Sequence, residues 1–468
     1  MIESSQWTAA KLEDLFVHVI GGDWGKDEDY EDAQFLLVAC IRGSEFKHWK
    51  RDLGSTSVIR KVKPSSLTGR KLQEGDILIE ISGGGPEQPV GRTVLITEKV
   101  LNQFSLPVVC TNFLRLARPS SSISSAFLNY YLQFFYFSGE VVNYQGGSNN
   151  LRNLKYKEYS SISIPVPSLT EQKVIADKLD TLLAQVESIK ARLERIPEIL
   201  KQFRQSVLAA AVSGKLTEGE KKGEEHEWQE VATFALDIRY GTSKKCSQDS
   251  GETPVLRIPN IGLGVVDHDD LKYADFDKKE LETLRLQKGD LLIIRSNGSV
   301  DLVGKLAIIS ESDEHCLFAG YLIRLRLDPK VVDSRYVAYC LQSPQLRQVI
   351  ELIARSTSGV NNINSKELLG LKIPVPLLDE QREVIERIEK LHSFSESIEK
   401  QVQSALDRVS NLTQSILAKA FRGELTAEWR EANPELISGE NSAEALLKRI
   451  KAERESAKPT TKRGRGKA

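Results

Sequence analysis

This chain of 468 residues lacks most of the features by which a sequence announces its chemistry. Its five cysteines, Cys40, Cys110, Cys246, Cys316 and Cys340, are scattered and odd in number, with no Cys-x-x-Cys pair. That pattern excludes a disulfide framework and a cysteine zinc site, and reads as reduced thiols in a cytosolic protein. There is no surplus of charge: 64 Lys and Arg face 65 Asp and Glu. Any nucleic-acid binding must therefore rest on local patches and not on a global field. No apolar run is long enough to cross a bilayer, and the opening MIESSQWTAAKLEDL has no basic segment followed by an apolar one. The expectation is a soluble, cytoplasmic protein with no membrane partner.

Catalytic signatures are missing as well. There is no Gly-x-Gly-x-x-Gly and no Gly-x-Ser-x-Gly elbow. The stretch GSVDLVGKL (Gly298–Leu306) has the look of a phosphate-binding loop, but five residues separate its glycines where four are needed. Leu306 also stands where Ser or Thr should hold magnesium. The six histidines, His18, His48, His226, His268, His315 and His392, lack metal-ligand spacing. His268-Asp269-Asp270 reads as a solvated turn, and the Gly-Asp pairs read as turns. An Asn-Pro-Pro-aromatic methyltransferase motif is absent, and there is no room for a methyltransferase or nuclease domain. Together with the duplicated layout that follows, these absences favour a binding protein, and the expectation is that it holds neither a metal nor a cofactor of its own.

What the chain does contain, it contains twice. IPVPSLTEQ (Ile164–Gln172) returns as IPVPLLDEQ (Ile373–Gln381), and SVLAAAVSGKLTE (Ser206–Glu218) returns at the same offset as SILAKAFRGELTA (Ser415–Ala427). Between them the apolar positions Ile175, Leu179, Leu182, Val186, Ile189, Leu193, Ile196, Leu200, Phe203 and Val207 alternate in steps of four and three. The second copy reads Val384, Ile388, Leu391, Ser395, Ile398, Val402, Ala405, Val409, Leu412 and Ile416, weak only at Ser395 and Ala405. A period of 3.5 is a coiled-coil seam. Thr170 and Asp379 are the expected N-caps and Gly214 and Gly423 the expected stops. Each helix would run about 43 residues, roughly 65 Å. Pro197 should kink or split the first, while Leu406 at the matching place leaves the second intact. If the segment between them is one compact domain, the helices pair antiparallel within the chain; separate homodimeric coiled coils are the other option.

A globular segment precedes each helix, at 1–163 and 226–372. LQEGDILI (Leu72–Ile79) matches LQKGDLLI (Leu286–Ile293), PVGRTVLI (Pro89–Ile96) matches LVGKLAII (Leu302–Ile309), and Trp7 and Trp228 open the two units. Short β-branched runs read as strands, and FLNYYLQFF (Phe127–Phe135) and YVAYCLQSP (Tyr336–Pro344) read as helices. The stretches 21–55 and 239–270 look unrelated, so two similar scaffolds carry two different sets of polar loops. After the second helical region (373–427), the extension 428–468 should form a helix over about 441–457, capped by Asn441 or Ser442. A basic, disordered tail should follow it.

This order, with the whole unit repeated around divergent domains, resembles the specificity subunit of type I restriction-modification systems. The resemblance covers the entire chain. It implies an α+β fold: two similar mixed α/β target-recognition domains (1–163 and 226–372) joined by two long antiparallel coiled-coil helices (within 164–225 and 373–427), a pseudo-twofold internal repeat. It implies a non-catalytic, sequence-specific DNA-binding subunit. Each domain would read one half of an asymmetric bipartite site. The helices would set the spacer and dock two adenine methyltransferase subunits. S-adenosylmethionine, ATP and Mg would sit on those partners and on two restriction/translocase subunits that can join them. A coiled-coil scaffold joining two protein-binding modules fits the seam and the repeat equally well, and only the basic, Asn-rich loops and the resemblance speak against it.

Candidate DNA contacts follow from positive charge for the backbone and from Arg, Asn, Gln and Lys for base edges. In the first domain they are Trp24, Lys26, Arg42, Lys47, Lys50 and Arg51, with Gln145, Ser148, Asn149, Asn150 and Arg152 from a Gly-Ser-Asn loop. In the second they are Arg239, Thr242, Ser243, Lys244 and Lys245, then Arg257 and Asn260, then Arg295, Ser296 and Asn297, and finally Arg355, Ser358, Asn361 and Asn362. The same residue types also build turns.

Overall fold

The computed structural model describes residues 7–85, 88–147, 151–217, 227–262, 264–355 and 359–457. The chain divides into two compact units, one of Met1–Arg192 with Leu406–Ala468 and one of Leu193–Ala405. The first is discontinuous: it takes in the C-terminal part of the second spacer helix and the extension beyond it.

Each unit is built on the same sheets. In unit 1 a four-stranded antiparallel sheet runs in the order Phe16–Gly21, Leu114–Pro119, Ile77–Glu80, Thr93–Leu95. Unit 2 repeats it as Ala235–Tyr240, Leu322–Leu327, Leu291–Ile294, Leu306–Ile308. Even the irregularity recurs, between Phe16 and His18 and between Ala235 and Asp237. Both faces of these sheets are covered, which is why the central strands read as unbroken apolar runs. Leu291 and Ile293 point into the core shared with the helices, whereas Leu292 and Ile294 point into a second core beneath a three-stranded sheet. Ile77, Ile79 and Leu78 divide the same way in unit 1.

The three-stranded sheets correct one expectation. Val58–Val62, Leu36–Ile41 and Val108–Cys110 in unit 1 have the same order and sense as Lys272–Ala274, Thr253–Leu256 and Leu317–Phe318 in unit 2, one antiparallel and one parallel neighbour each. The stretches that look unrelated in sequence thus each supply the middle strand of the same small sheet, although the loops around those strands differ. Gly22 and Gly241 mark the register. A Cβ at Gly22 would fall 2.3 Å from the Cys110 carbonyl oxygen, and one at Gly241 would fall 2.3 Å from that of Phe318. A pleated, two-sided strand asks only for apolar residues, so the shared fold leaves no shared letters.

The longer helices are α1 (Ser125–Phe137), α2 (Leu169–Leu193), α3 (Ile196–Val212), α4 (Ser334–Gln342), α5 (Leu378–Phe421) and α6 (Ala443–Ala457), with a further helix over Pro344–Ala354. The first spacer is therefore two helices. Pro197 sits in the first turn of α3, where its missing N–H costs nothing, and the break falls at Glu194–Arg195. With Leu406 at the matching position, α5 is continuous over 44 residues. The caps differ from those expected. Ser168, not Thr170, caps α2, accepting from Glu171 N–H at 3.2 Å. Asp379 lies inside the first turn of α5. Gly214 and Gly423 follow the helix ends with φ of 76° and 78°, the left-handed conformation a stop requires.

Within each unit the two spacers run antiparallel. In unit 1, Lys178 donates to the Leu425 carbonyl at 3.0 Å, and further along α2 Leu183 shares a core with Leu417. In unit 2, Arg204 of α3 bonds Ser395 Oγ at 2.8 Å and Glu399 at 2.6 Å, while the Leu216 carbonyl, beyond the end of α3, accepts from Arg387 at 2.7 Å. Ser395 is no weak point in the seam: it is fully buried and receives that arginine. Elsewhere the seam drifts. Leu183 is buried beside a half-buried Leu182, and Ile189 is 46% exposed, as a 3.6-residue helix departing from a 3.5 repeat requires.

The repeated Glu-Gln has a specific use. Gln172 is fully buried, donates to the Pro167 carbonyl and accepts from Ser124 N–H at the start of α1, both at 2.9 Å. Gln381 donates to the Pro376 and Val331 carbonyls at 2.9 and 3.0 Å and accepts from Asp333 N–H, at the start of α4, at 2.8 Å. Each glutamine thus ties a globular segment to the spacer that follows it. Glu171 is also buried. It is held by Arg430 (2.5 Å), Thr426 (2.7 Å) and Trp7 Nε1 (3.1 Å). The extension completes this unit: Leu446 and Ile450 of α6 enter the core with Leu12 and Leu15, and Ser442 caps α6. The basic tail lies outside the described residues.

Candidate nucleic-acid interface

Just beyond the end of a central strand of each four-stranded sheet, Ile77–Glu80 in unit 1 and Leu291–Ile294 in unit 2, the chain forms a small sheet that carries several of the expected contacts. In unit 1 Ser82–Gly83 pairs with Arg152–Asn153, which in turn pairs with Gln145–Gly146. A cleft of about 560 Å³ opens beside it, lined by Trp24, Arg42, Ser82, Gly84, Asn112 and Phe113. Trp24, Arg42, Gln145 and Arg152 are thereby brought to one region. Trp24 is 37% exposed and carries the Arg60 guanidinium over its ring at 4.1 Å. Arg42 forks onto the buried Glu45, at 3.0 and 2.6 Å, leaving its side chain partly open. Gln145 has one oxygen engaged by Val90 N–H at 3.1 Å. Lys26 lines a neighbouring cleft with Lys63, Ser65 and Arg70.

Lys47, Lys50 and Arg51 are not part of this region. They line a separate cleft together with Gln133, Tyr136 and, from α2, Glu187. Lys50 pairs with Glu187 at 3.2 Å and Arg51 with its neighbour Asp52 at 2.6 Å. Lys47 lies in the short helix Gly43–His48 and Lys50 and Arg51 in Trp49–Asp52, placed so that Lys50 meets the spacer. Ser148, Asn149, Asn150 and Ser358 lie outside the described residues.

In unit 2 the matching pair is Ser296–Asn297 with Asn361–Asn362. Arg295 lies across it, its guanidinium 4.5 Å from the Tyr240 ring centroid and bonded to Asn362 Oδ1 at 3.0 Å. Asn361 donates to the Gly298 carbonyl at 2.9 Å, and Asn297 accepts from Ser299 N–H at 2.8 Å. These asparagines hold turns, with their remaining polar atoms at the surface. Thr242 is stitched to the Gly320 amide through its carbonyl at 2.7 Å, and Ser243, Lys245, Arg239 and Arg355 are exposed.

Three residues have other employment. Asn260 is fully buried: it accepts from Arg257 N–H at 2.9 Å and donates to the Asp267 and Asp269 carbonyls at 3.0 and 2.8 Å. It fixes a loop and offers nothing to a ligand. Arg257 is paired with Asp270 at 2.9 Å, and hydrogen bonds from Arg257 and Gln248 hold that carboxyl below its ordinary value. Lys244 is bonded to Glu280 at 2.7 Å and to the Asp275 carbonyl at 3.0 Å, so Lys245 is the open cation of that loop. His268 is not merely solvated but bonds Asp313 at 2.8 Å. The Gly-Asp turns hold more than a bend: Asp76 and Asp290 are buried and grip Arg118 and Arg326, each at 2.7 Å. Among the described residues no cluster of His, Cys, Asp or Glu could hold a metal ion, and no helix is long and apolar enough to cross a membrane.

Sequence reasoning overlooked Phe113 and Tyr321, which stand exposed beside the two strand pairs. A signal was available. Aligning Arg118 with Arg326, the partners of the repeated Asp, places NFLRLARP over GYLIRLRL and the two aromatics in register.

Comparison with known proteins agrees with this picture. The family model described as the type I restriction modification DNA specificity domain matches twice, over residues 5–198 and 224–408. The chain is 37% identical over 455 residues to the type I restriction enzyme EcoKI specificity subunit of Escherichia coli (strain K12), covering 96% of this chain and 95% of that one. It is equally similar, with the same coverage, to the StySPI specificity subunit of Salmonella potsdam. Among solved structures, the HsdS subunit from Thermoanaerobacter tengcongensis superposes with a TM-score of 0.57 at 16% identity, covering 90% of this chain and 98% of that one. A chain from a type I R-M assembly does so with a TM-score of 0.63, at the same identity and coverage. The duplicated domains, the antiparallel spacers and these matches together place the chain in the family of specificity subunits of type I restriction-modification systems, with two target-recognition domains that give DNA sequence specificity.

Proposed function

We propose that unit 1 and unit 2 each read one half of an asymmetric bipartite DNA site, and that the chain itself is non-catalytic. The observation that carries this reading is that one backbone is used twice with different residues at matching places. Where unit 1 has Ile81, Ser82 and Gly83, unit 2 has Arg295, Ser296 and Asn297; where unit 1 has Arg152 and Asn153, unit 2 has Asn361 and Asn362. Equal scaffolds with unequal readers suit two half-sites of unequal sequence. The antiparallel spacers set the distance between half-sites and offer docking surfaces to two adenine methyltransferase subunits. Those subunits bring S-adenosylmethionine, and restriction/translocase subunits with ATP and Mg join them. The complex works in the cytoplasm, on duplex DNA.

Mapping adenine methylation in the host with and without this gene tests the reading. Loss of one two-part asymmetric motif on deletion supports it. Exchanging unit 2's globular segment for that of another specificity subunit should then change one half of the motif and leave the other. An unchanged methylome while the gene is expressed refutes it.

A further inference from the structure

Phe113 and Tyr321 occupy the same place in the two units, and the match is made by four main-chain hydrogen bonds in each. Thr111 N–H donates to the Ile41 carbonyl, and Ala319 N–H to that of Leu256, both at 2.9 Å. Leu114 N–H closes a turn on the Thr111 carbonyl, as Leu322 N–H does on Ala319, again both at 2.9 Å. The Phe113 carbonyl accepts from Ile81 N–H, and the Tyr321 carbonyl from Arg295 N–H, each at 2.9 Å. Gly22 N–H reaches the Leu114 carbonyl and Gly241 N–H that of Leu322. Each aromatic is therefore the third residue of a hydrogen-bonded turn, joined by its own carbonyl to the strand pair that carries the candidate readers.

Both rings face outward, Phe113 48% and Tyr321 64% exposed. Among the described residues, neither ring belongs to a core cluster or to a ring-ring pair. A single exposed ring is ordinary on a protein surface, but here aromatic side chains stand at matching points of two otherwise divergent surfaces, which points to a shared use in binding. The surroundings say what is bound. Arg42 and Arg92 line the cleft with Phe113, held in place by the buried carboxylates of Glu45 and Glu80, and Arg295 bonds the carbonyl of Gly320, next to Tyr321, at 3.3 Å. Guanidinium groups beside an exposed ring suit a polyanion with apolar groups behind its charges, which is duplex DNA.

We propose that Phe113 and Tyr321 are paired base-contacting residues, each setting its ring against the bases of the half-site read by its own unit. The proposal rests on the bipartite reading given above. Phosphate contacts position a protein on DNA, whereas a ring bears on sequence through base contacts, including thymine methyl groups. Its removal should therefore reduce discrimination and leave the salt dependence alone.

The test uses the assembled methyltransferase complex, with Phe113→Ala, Tyr321→Ala, Phe113→Leu and Tyr321→Phe. Binding to a duplex with the native site and to one without it is measured across a salt series, and the methylated motif is sequenced. The expected result is at least a tenfold fall in the specific-to-nonspecific ratio for each Ala variant, with an unchanged salt slope. Phe113→Ala should relax one half of the motif and Tyr321→Ala the other, with partial retention in the Leu and Phe variants. Ratios within twofold of wild type for both Ala variants, or equal losses on both duplexes, would overturn the proposal while the wild-type complex still reads two halves. A wild-type complex with no two-part preference would overturn the underlying reading and the proposal with it.

Discussion

Replacing Gln381 by Leu should destabilise unit 2 strongly, and the structure sets the size. The side chain is fully buried and makes three hydrogen bonds, to the Pro376 and Val331 carbonyls and from Asp333 N–H. Leucine fills the space but satisfies none of them. At about 1 kcal/mol net per bond the loss is roughly 3 kcal/mol, and a buried amide left dry adds about 1–3 kcal/mol more. For a unit of this size, 1 kcal/mol moves the melting temperature by about 2–4 °C, so a total loss of about 4–6 kcal/mol should appear in calorimetry as a drop of roughly 8–24 °C. Gln172→Leu breaks two bonds in unit 1, with Pro167 and Ser124, and should cost about 2 kcal/mol. Gln381→Glu is harsher, because a carboxylate would face two carbonyl oxygens. The introduced carboxyl must hold its proton, so its folded pKa is raised. Its penalty therefore grows as pH climbs through the unfolded value of about 4.3. Melting within 1 °C of wild type for both Leu variants, or a larger loss at Gln172 than at Gln381, would refute the account of how domain and spacer are joined.

Other outcomes follow from buried charges and thiols. Arg430→Ala strips the buried Glu171 of its cation and should cost about 3–5 kcal/mol, read as a lowered denaturant midpoint. Burial pushes the Cys40, Cys316 and Cys340 thiols up to about 12 and raises Cys110 too. An aromatic disulfide reagent at pH 8 should thus find only Cys246 in the native chain and all five thiols after unfolding. Glu453 is partly desolvated, which raises its pKa, but hydrogen bonds from Ser120 and Ser121 outweigh this and bring it below 4.5. Its hold on α6 is therefore complete above that value and lost as pH falls through the lowered one. Amide protection factors in α6, corrected for the slower intrinsic exchange at low pH, should fall in acid, and Glu453→Gln should remove that pH dependence.

The parts legible in the sequence were those written in periodic or repeated residues: the spacer seam, the Pro197 break, the stops at Gly214 and Gly423, and the doubling itself. The equivalence of 21–55 with 239–270 was not legible, because a strand with both faces covered accepts any apolar residue and the connecting turns differ in length. Gln172 and Gln381 showed as repeated letters, but their partners in the globular segments, Ser124 for one and Val331 and Asp333 for the other, lie some fifty residues away in sequence, and only the fold brings them within 3 Å. Charged and polar loop residues were the hardest to assign. Asn260 and Lys245 look alike as candidates, yet one is sealed in a loop and the other open, since the decision is made by neighbours that spacing does not reveal.

The discontinuity of unit 1 bears on the order in which the molecule can be made. Leu12, Leu15 and Glu171 leave the ribosome before unit 2 is made, whereas Arg430, Leu446 and Ile450, which cover them, leave after it. Unit 2 is continuous and can close as it emerges. At roughly 5–20 residues per second, the first domain waits tens of seconds with an uncovered apolar floor and a carboxylate without its cation. The N-terminal domain of this chain is thus begun first and finished last. A truncation near the C-terminus would be felt at the opposite end of the sequence.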